Sequence, residues 1–255
     1  MSFLKTFDAY VPSNVQEFFA LAKVNPEYVP FETLRTIPLD PEHTASFEYA
    51  KKITPHAGFI HSIRCYYFAL AILRNGFPSG TPGVPQITFE ELNRRLYHTC
   101  LLHDLGWTMT AEGREHPAHG MTFELHGGIM AYDHLHAAAP SLDAHQVGDI
   151  VQSIVLHTLE FPFGKSSATG ALMFLSAWFD VCGYHEAGPG SRFVNRRTVQ
   201  EIEKECPRGS LAIEGKEILD REFLEKPNCL LSHFHGGAEA FLKVVRADPI
   251  VSVDE

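Results

Sequence analysis

Leu101-Leu102-His103-Asp104-Leu105-Gly106 is the stretch on which the reading of this chain turns. It sets a charged pair inside an apolar, helical pattern. Burying a carboxylate beside an imidazole costs several kcal/mol unless the two are paired or bind a cation. Taken alone, such a dipeptide more often marks a helix end, with Gly106 as cap and His103 facing the last carbonyls. It is not alone. Upstream, Phe59-Ile60-His61-Ser62-Ile63-Arg64-Cys65 and the residues to Phe68 put His61, Arg64, Cys65 and Phe68 on one helical face. Downstream, Asp180 lies in the apolar run from Leu172 to Gly183, where a carboxylate wants a partner. By itself Asp180 reads as a buried Asp bonded to Ser or backbone. Together, a His, a His-Asp pair and an Asp on three helices can converge on one metal ion.

The rest of the chain is patterned for helices. Asp40-Pro41 reads as N-cap and first residue of a helix toward Ile53. Further helices are expected over Ala57–Arg74, from Thr88 (with Glu91 as a capping box) through Leu102, and over Met121–Ala138. Others are expected over Asp143–Leu159, over Thr169–Cys182 as a buried helix, from Thr198 with Glu201 to before Pro207, and near Leu211–Leu224 and Gly237–Ala247. Residues 78–85 and 161–167 read as loops. No alternating strand pattern stands out. The expected class is all-α, a bundle of roughly eight to ten helices. Residues 1–40 form an N-terminal extension in this reading and 41–250 the catalytic domain.

Composition narrows the function. The 255 residues are 45% hydrophobic and 20% charged, enough for one large domain with a sizeable core. Lys and Arg number 21 against 31 Asp and Glu, a net charge of −10 that speaks against nucleic-acid partners. No apolar run approaches the ~18–20 residues of a membrane span, and the first residues lack the apolar segment of a signal peptide. Five scattered cysteines without a CxxC form no disulfide framework, so a cytoplasmic location is expected. Fifteen histidines are an unusual number, and His is the commonest metal ligand.

The H…HD…D arrangement resembles the HD-domain metal hydrolase superfamily. Longer strings are similar to the fungal cyanamide hydratase family. They are His61-Ser62-Ile63-Arg64, Thr99 to Asp104, Thr122-Phe123-Glu124-Leu125-His126-Gly127-Gly128-Ile129, Ile154-Val155-Leu156-His157, Gly170 before Asp180, and Lys226-Pro227 with Cys229 and His233. The resemblance implies an all-helical HD-type fold, one Zn²⁺ per chain and hydration of cyanamide to urea by a zinc-bound hydroxide. It also implies self-association, which the helices' abundant apolar surface supports.

The ligand set expected for the metal is His61, His103, Asp104 and Asp180. Asp104 thereby also belongs to the reacting centre. Glu124 and His126 stand where binuclear relatives carry further His ligands, which suggests a single metal. His157, at the end of an amphipathic helix, is the candidate proton donor to the nitrile nitrogen. Ser167 either orients substrate or caps a helix. Glu124, His126, Trp107 and His233 are expected around the substrate. His116 and His119 flank Pro117 in a loop and read as a gate to the pocket, while His134, His136, His145 and His185 read as surface residues. Two positions depart from the family: Leu159 where it carries an acid, and Val181 where it often carries Asn. The alternative activity is a phosphohydrolase acting on a nucleotide or other small phosphate. That chemistry needs several Arg or Lys near the metal, and only Arg64, with Arg94 or Arg95, is placed to help. A binding protein that has lost catalysis is the third reading, and the intact ligand set argues against it.

Overall fold

Helix-capping residues and apolar stripes set the element order in the structure, a computed structural model that describes residues 4–35, 40–184, 188–234, 236–245 and 249–251. Two short strands, β1 (Thr6–Asp8) and β2 (Tyr10–Pro12), are followed by helices α1 (Val15–Leu21), α2 (Phe31–Arg35), α3 (Pro41–Ile53) and α4 (His56–Arg74). Strand β3 (Gln86–Thr88) leads directly into α5 (Phe89–Leu102), then α6 (Ala111–Arg114), α7 (Phe123–Ala138) and α8 (Ala144–Leu156). Strand β4 (Lys165–Ser167) opens α9 (Ala168–Cys182), and α10 (Arg196–Glu205), α11 (Leu211–Glu225) and α12 (Gly237–Val244) complete the chain. The all-α class is as expected. The described residues form twelve helices rather than eight to ten, and the extra ones, α1, α2 and α6, are only 7, 5 and 4 residues long. A helix that short shows too little periodicity to be read. The four strands are three residues each, too short to show alternation.

Caps account for most boundaries. Asp40 accepts the His43 amide at 3.0 Å, and His43 Nδ1 accepts the Asp40 amide at 3.2 Å, a reciprocal box that starts α3. Asp143 and Gln146 do the same for α8. Thr88 accepts the Glu91 amide at 3.2 Å at the head of α5. One expected cap is placed differently. Asn195, not Thr198, caps α10. The Thr198 hydroxyl instead accepts the Val29 amide at 2.9 Å and donates to the Val29 carbonyl at 3.1 Å.

Helices α4 and α9 lie at the centre of the core and pack on each other, with α5 and α8 alongside. Both are apolar on nearly every side, which is the signature of a buried helix. Residues 4–35 are woven into this body. β1 pairs antiparallel with β3 and β2 with β4, and Phe7, Val11 and Phe18 are buried in the main core. Among the described residues no helix is long and apolar enough to cross a membrane. All five cysteines are buried, and none is in a disulfide.

Candidate metal centre

Four helices bring their polar residues to one point. His61 comes from the second turn of α4, His103 and Asp104 from the end of α5, His157 from the C-cap of α8 and Asp180 from α9. All five are buried. Glycines set how closely the α5 end approaches α7. A Cβ on Gly106 would stand 2.0 Å from the Phe123 carbonyl, and one on Gly127 would stand 2.9 Å from the Gly106 amide. Only hydrogen fits at either position, so the turn carrying His103 and Asp104 is pressed against the N-terminal half of α7. Glu222 of α11 secures the head of α7 by accepting the Phe123 amide at 2.9 Å.

The partners of the three imidazoles fix their tautomers. His103 Nδ1 faces the Cys100 carbonyl at 2.8 Å and His157 Nδ1 faces the Ile154 carbonyl at 2.6 Å. His61 Nδ1 faces Asp180 Oδ2 at 2.5 Å. A carbonyl or carboxylate only accepts, so each Nδ1 carries the proton and each Nε2 presents a lone pair. Those lone pairs converge. His61 Nε2 lies 3.2 Å from His103 Nε2, and Asp104 Oδ2 lies 3.5 Å from the first and 3.3 Å from the second. His157 Nε2 is 3.9 Å from Asp104 Oδ1. Asp104 Oδ2 is buried without a hydrogen-bond partner among the described residues.

Electron-rich atoms packed this way repel unless a cation sits among them. Two donors each ~2.1 Å from a tetrahedral ion stand about 3.4 Å apart, and the three edges observed match that spacing. His103, Asp104 and His157 also form a group able to hold an ion, as do His61, Cys65 and His103. Cys65 Sγ lies nearly equidistant from the two His61 nitrogens, 3.7 and 3.6 Å, so it sits over the ring face rather than along a lone pair. The residues fit a divalent metal, and the metal's identity is not fixed by them.

Electrostatics point the same way. Burial pushes the His61 and His103 imidazoles down, His103 well down, with repulsion from His157 and His61 adding to the latter. Burial likewise pushes His157 down to about 4. Burial, with the Glu124 and Asp180 charges, pushes the Asp104 carboxyl well up. Asp180 differs. Burial pushes it upward too, but Arg64 and Arg208 hold it well below the usual carboxylate range. Arg64 Nε and Nη2 grip its two oxygens at 2.8 Å each. Arg208 Nη1 reaches Oδ1 at 3.1 Å and its Nη2 reaches the Asp180 carbonyl at 2.8 Å. Asp180 therefore joins the cluster through His61 Nδ1, with both oxygens already engaged.

The cluster opens on a cavity of about 40 Å³ floored by His61, Asp104 and His157. Trp107, Phe123, Trp178, Val181, Leu231 and Phe241 wall it, and no Lys or Arg is among its lining residues. Of the residues expected around a substrate, Trp107 is in the wall, its ring stacked 6.1 Å from that of His61. Glu124 is fully buried and accepts hydroxyl protons from Thr122 and Thr158. Ser167 caps α9, accepting the Gly170 amide at 3.0 Å, and lines a separate cleft of about 270 Å³ with Phe18, Leu156 and Phe174. That larger cleft contains none of the cluster residues. His126 is buried against His119 and His116, with ring centroids 5.2 and 5.6 Å away, and does not line the cavity. His233 is exposed, although Leu231 of the same turn reaches the wall. His136 and His145 are exposed as expected. His134 is not a free surface residue: it stacks on Tyr49 at 4.3 Å and meets Ser46 Oγ at 3.1 Å. His185 lies outside the described residues. Arg208 and Thr158 carried no local signal in the sequence. Each becomes visible only once Asp180 and Glu124 are seen to be buried beside it.

No family model matches the chain. Two proteins of Saccharomyces cerevisiae, the cyanamide hydratases DDI2 and DDI3, are each 25% identical to it over 180 residues, 71% of this chain and 72% of theirs. At that identity the likeness is distant.

Proposed function

We propose that this chain is a metal-dependent hydro-lyase that hydrates the nitrile of cyanamide to urea. The observation that carries the reading is the convergence of three Nε2 lone pairs and an unpartnered Asp104 oxygen at the floor of a small, apolar, cation-free cavity. The resemblance to hydratases of that name adds to it. His61, His103 and Asp104 would hold the metal, and Zn²⁺ suits two imidazoles and a carboxylate. When bound, such an ion supplies Lewis acidity and a nucleophilic water at neutral pH.

The chain's own residues do the rest. Asp180 fixes the His61 ring by holding its Nδ1 proton, and Arg64 and Arg208 fix Asp180. His157 Nε2 starts as a lone pair because its Nδ1 proton is committed to Ile154. It therefore acts first as base, taking a proton from the attacking water, and then as acid, returning that proton to the nitrile nitrogen. The carbon–oxygen bond forms as one carbon–nitrogen π bond breaks. The isourea produced tautomerises to urea. Aromatic walls exclude other water while the addition proceeds.

A phosphate substrate fits poorly. Arg64 and Arg208 are spent on Asp180, and Arg94 and Arg95 pair with Glu42, Glu91 and Asp149 away from the cavity. The deciding experiment is to supply cyanamide to the purified, metal-loaded protein and measure urea, with a generic phosphate ester in parallel. Urea formation in proportion to protein is expected. Metal-loaded protein that yields no urea above the blank overturns the proposal.

A further inference from the structure

Behind the cavity wall lies a chain of hydroxyls that ends on one carboxylate. The Leu230 amide donates to Thr122 Oγ1 at 3.1 Å. With that lone pair filled, the Thr122 hydroxyl turns its proton to Glu124 Oε2. The other Glu124 oxygen accepts from Thr158 Oγ1 at 2.7 Å. Glu124 is fully buried, so these two hydroxyls are what its carboxylate has in place of water. Thr158 lines the cavity beside His157. A threonine hydroxyl owns one proton, and here Glu124 holds it. What remains for a ligand is an acceptor. The other side chains lining the cavity outside the metal cluster are apolar, apart from the two Trp indoles, which only donate.

We propose that Thr158, polarised by Glu124, recognises an N–H donor on the substrate and so selects an amino-nitrile over an alkyl nitrile. The inference rests on the reading of cyanamide as substrate and names the group that reads its amino end. Cyanamide and acetonitrile share a linear shape and differ by NH₂ against CH₃. An apolar pocket barely separates two groups of equal size, whereas a placed acceptor separates a donor from a methyl strongly. Thr158 touches the substrate in this assignment. Glu124 acts through it as a positioning residue.

The test uses the metal-loaded protein and its two tryptophans, Trp107 and Trp178, both in the cavity wall. Rapid-mixing fluorescence gives dissociation constants for cyanamide and for acetonitrile, and urea release is followed separately. Wild type should prefer cyanamide by about tenfold to a hundredfold, the usual worth of one buried hydrogen bond that the analogue leaves unmade. Thr158→Val, which swaps hydroxyl for methyl at constant shape, should bring the ratio near one with metal content unchanged. Thr158→Ser should keep it. A wild type without preference, or a Thr158→Val protein that retains the wild-type ratio, overturns the inference. If the preference is present and Thr158-dependent but no urea forms, the recognition stands and the hydratase reading falls. If urea forms and the ratio ignores Thr158, the reverse holds.

Discussion

Helix α5 feeds a histidine into each of two buried clusters, and the two are built on opposite principles. His103, just past its end, meets His61, His157 and Asp104. His98, one turn and a half earlier, stacks on His43 with ring centroids 4.7 Å apart and shares the Ser46 hydroxyl with His134. In the first cluster every Nδ1 proton is drawn outward by an oxygen, so all the inward atoms are lone pairs aimed at a carboxylate. In the second, His43 Nδ1 already accepts the Asp40 amide, and the Ser46 hydroxyl lies between His98 Nδ1 at 2.9 Å and His134 Nε2 at 3.1 Å. The His43 and His98 rings lie face to face, and the carboxylate beside His43 Nδ1, that of Asp40 at 2.8 Å, is committed to capping α3 through the His43 amide. Both clusters are rich in histidine and largely hidden from water, with His134 half-buried. Only the first is arranged to want a cation. The placement of protons, not the number of imidazoles, separates a candidate metal centre from a packed polar core.

Four experiments press on that contrast. The largest effect is expected from His103→Ala. It should abolish metal retention, seen by elemental analysis, and reduce urea production to the uncatalysed level. Next comes His157→Ala. Metal content should be preserved while turnover falls by about 10²–10⁴-fold, and a variant with near-normal turnover removes His157 from the chemistry. Asp180→Asn keeps the shape of the side chain but lessens its hold on His61 Nδ1. Metal affinity, measured by competition with a chelator, should weaken by about 10–100-fold. An affinity lost altogether, as with His103→Ala, would instead make Asp180 a direct ligand.

The smallest effect belongs to the other cluster. His98→Ala should leave metal and turnover unchanged and lower stability by about 1–3 kcal/mol. Burial pushes His98 from 6.5 down to about 3, with the His43 charge adding to the shift. The folded state therefore resists a proton that the unfolded chain accepts. The stability from keeping this ring neutral is intact above pH 6.5 and is lost as pH falls toward 3. Guanidinium denaturation across that window should show wild type losing stability up to about 1.4 kcal/mol per pH unit faster than the variant. Equal slopes would mean that His98 is already charged in the folded protein.

Much of this was legible before any coordinate. The long helices announce themselves through Asp40-Pro41, Thr88 and Asp143 at their starts and through their apolar periodicity. His61, His103, Asp104 and Asp180 stand out because each is polar within an apolar run, which is a local and visible anomaly. Three kinds of information were not local. The partners of Thr198 and Glu124 that lie far away in sequence are Val29 and Thr158. The clamp on Asp180 needs Arg208, which sits in an unremarkable loop. The side of each imidazole that carries its proton depends on carbonyls whose direction only the fold determines. Ser167 shows the converse. Its position before an apolar helix suits a cap as well as a substrate contact, and only its distance from the cavity separates the two.

The strand pairs at the chain's beginning bear on the order in which the molecule assembles. β2 matches Tyr10 with Ser167, and the Ala9 carbonyl receives the Ala168 amide at the first residue of α9. During synthesis, residues 6–12 emerge well before their strand partners β3 and β4. Contacts so remote in sequence close large loops and reward the chain late. The helices between can collapse locally in the meantime. Strands β1 and β2 are therefore expected to engage near the end of folding. Deleting residues 6–12 should slow the final step and lengthen the exposure of the α9 head more than it alters the finished histidine–aspartate cluster.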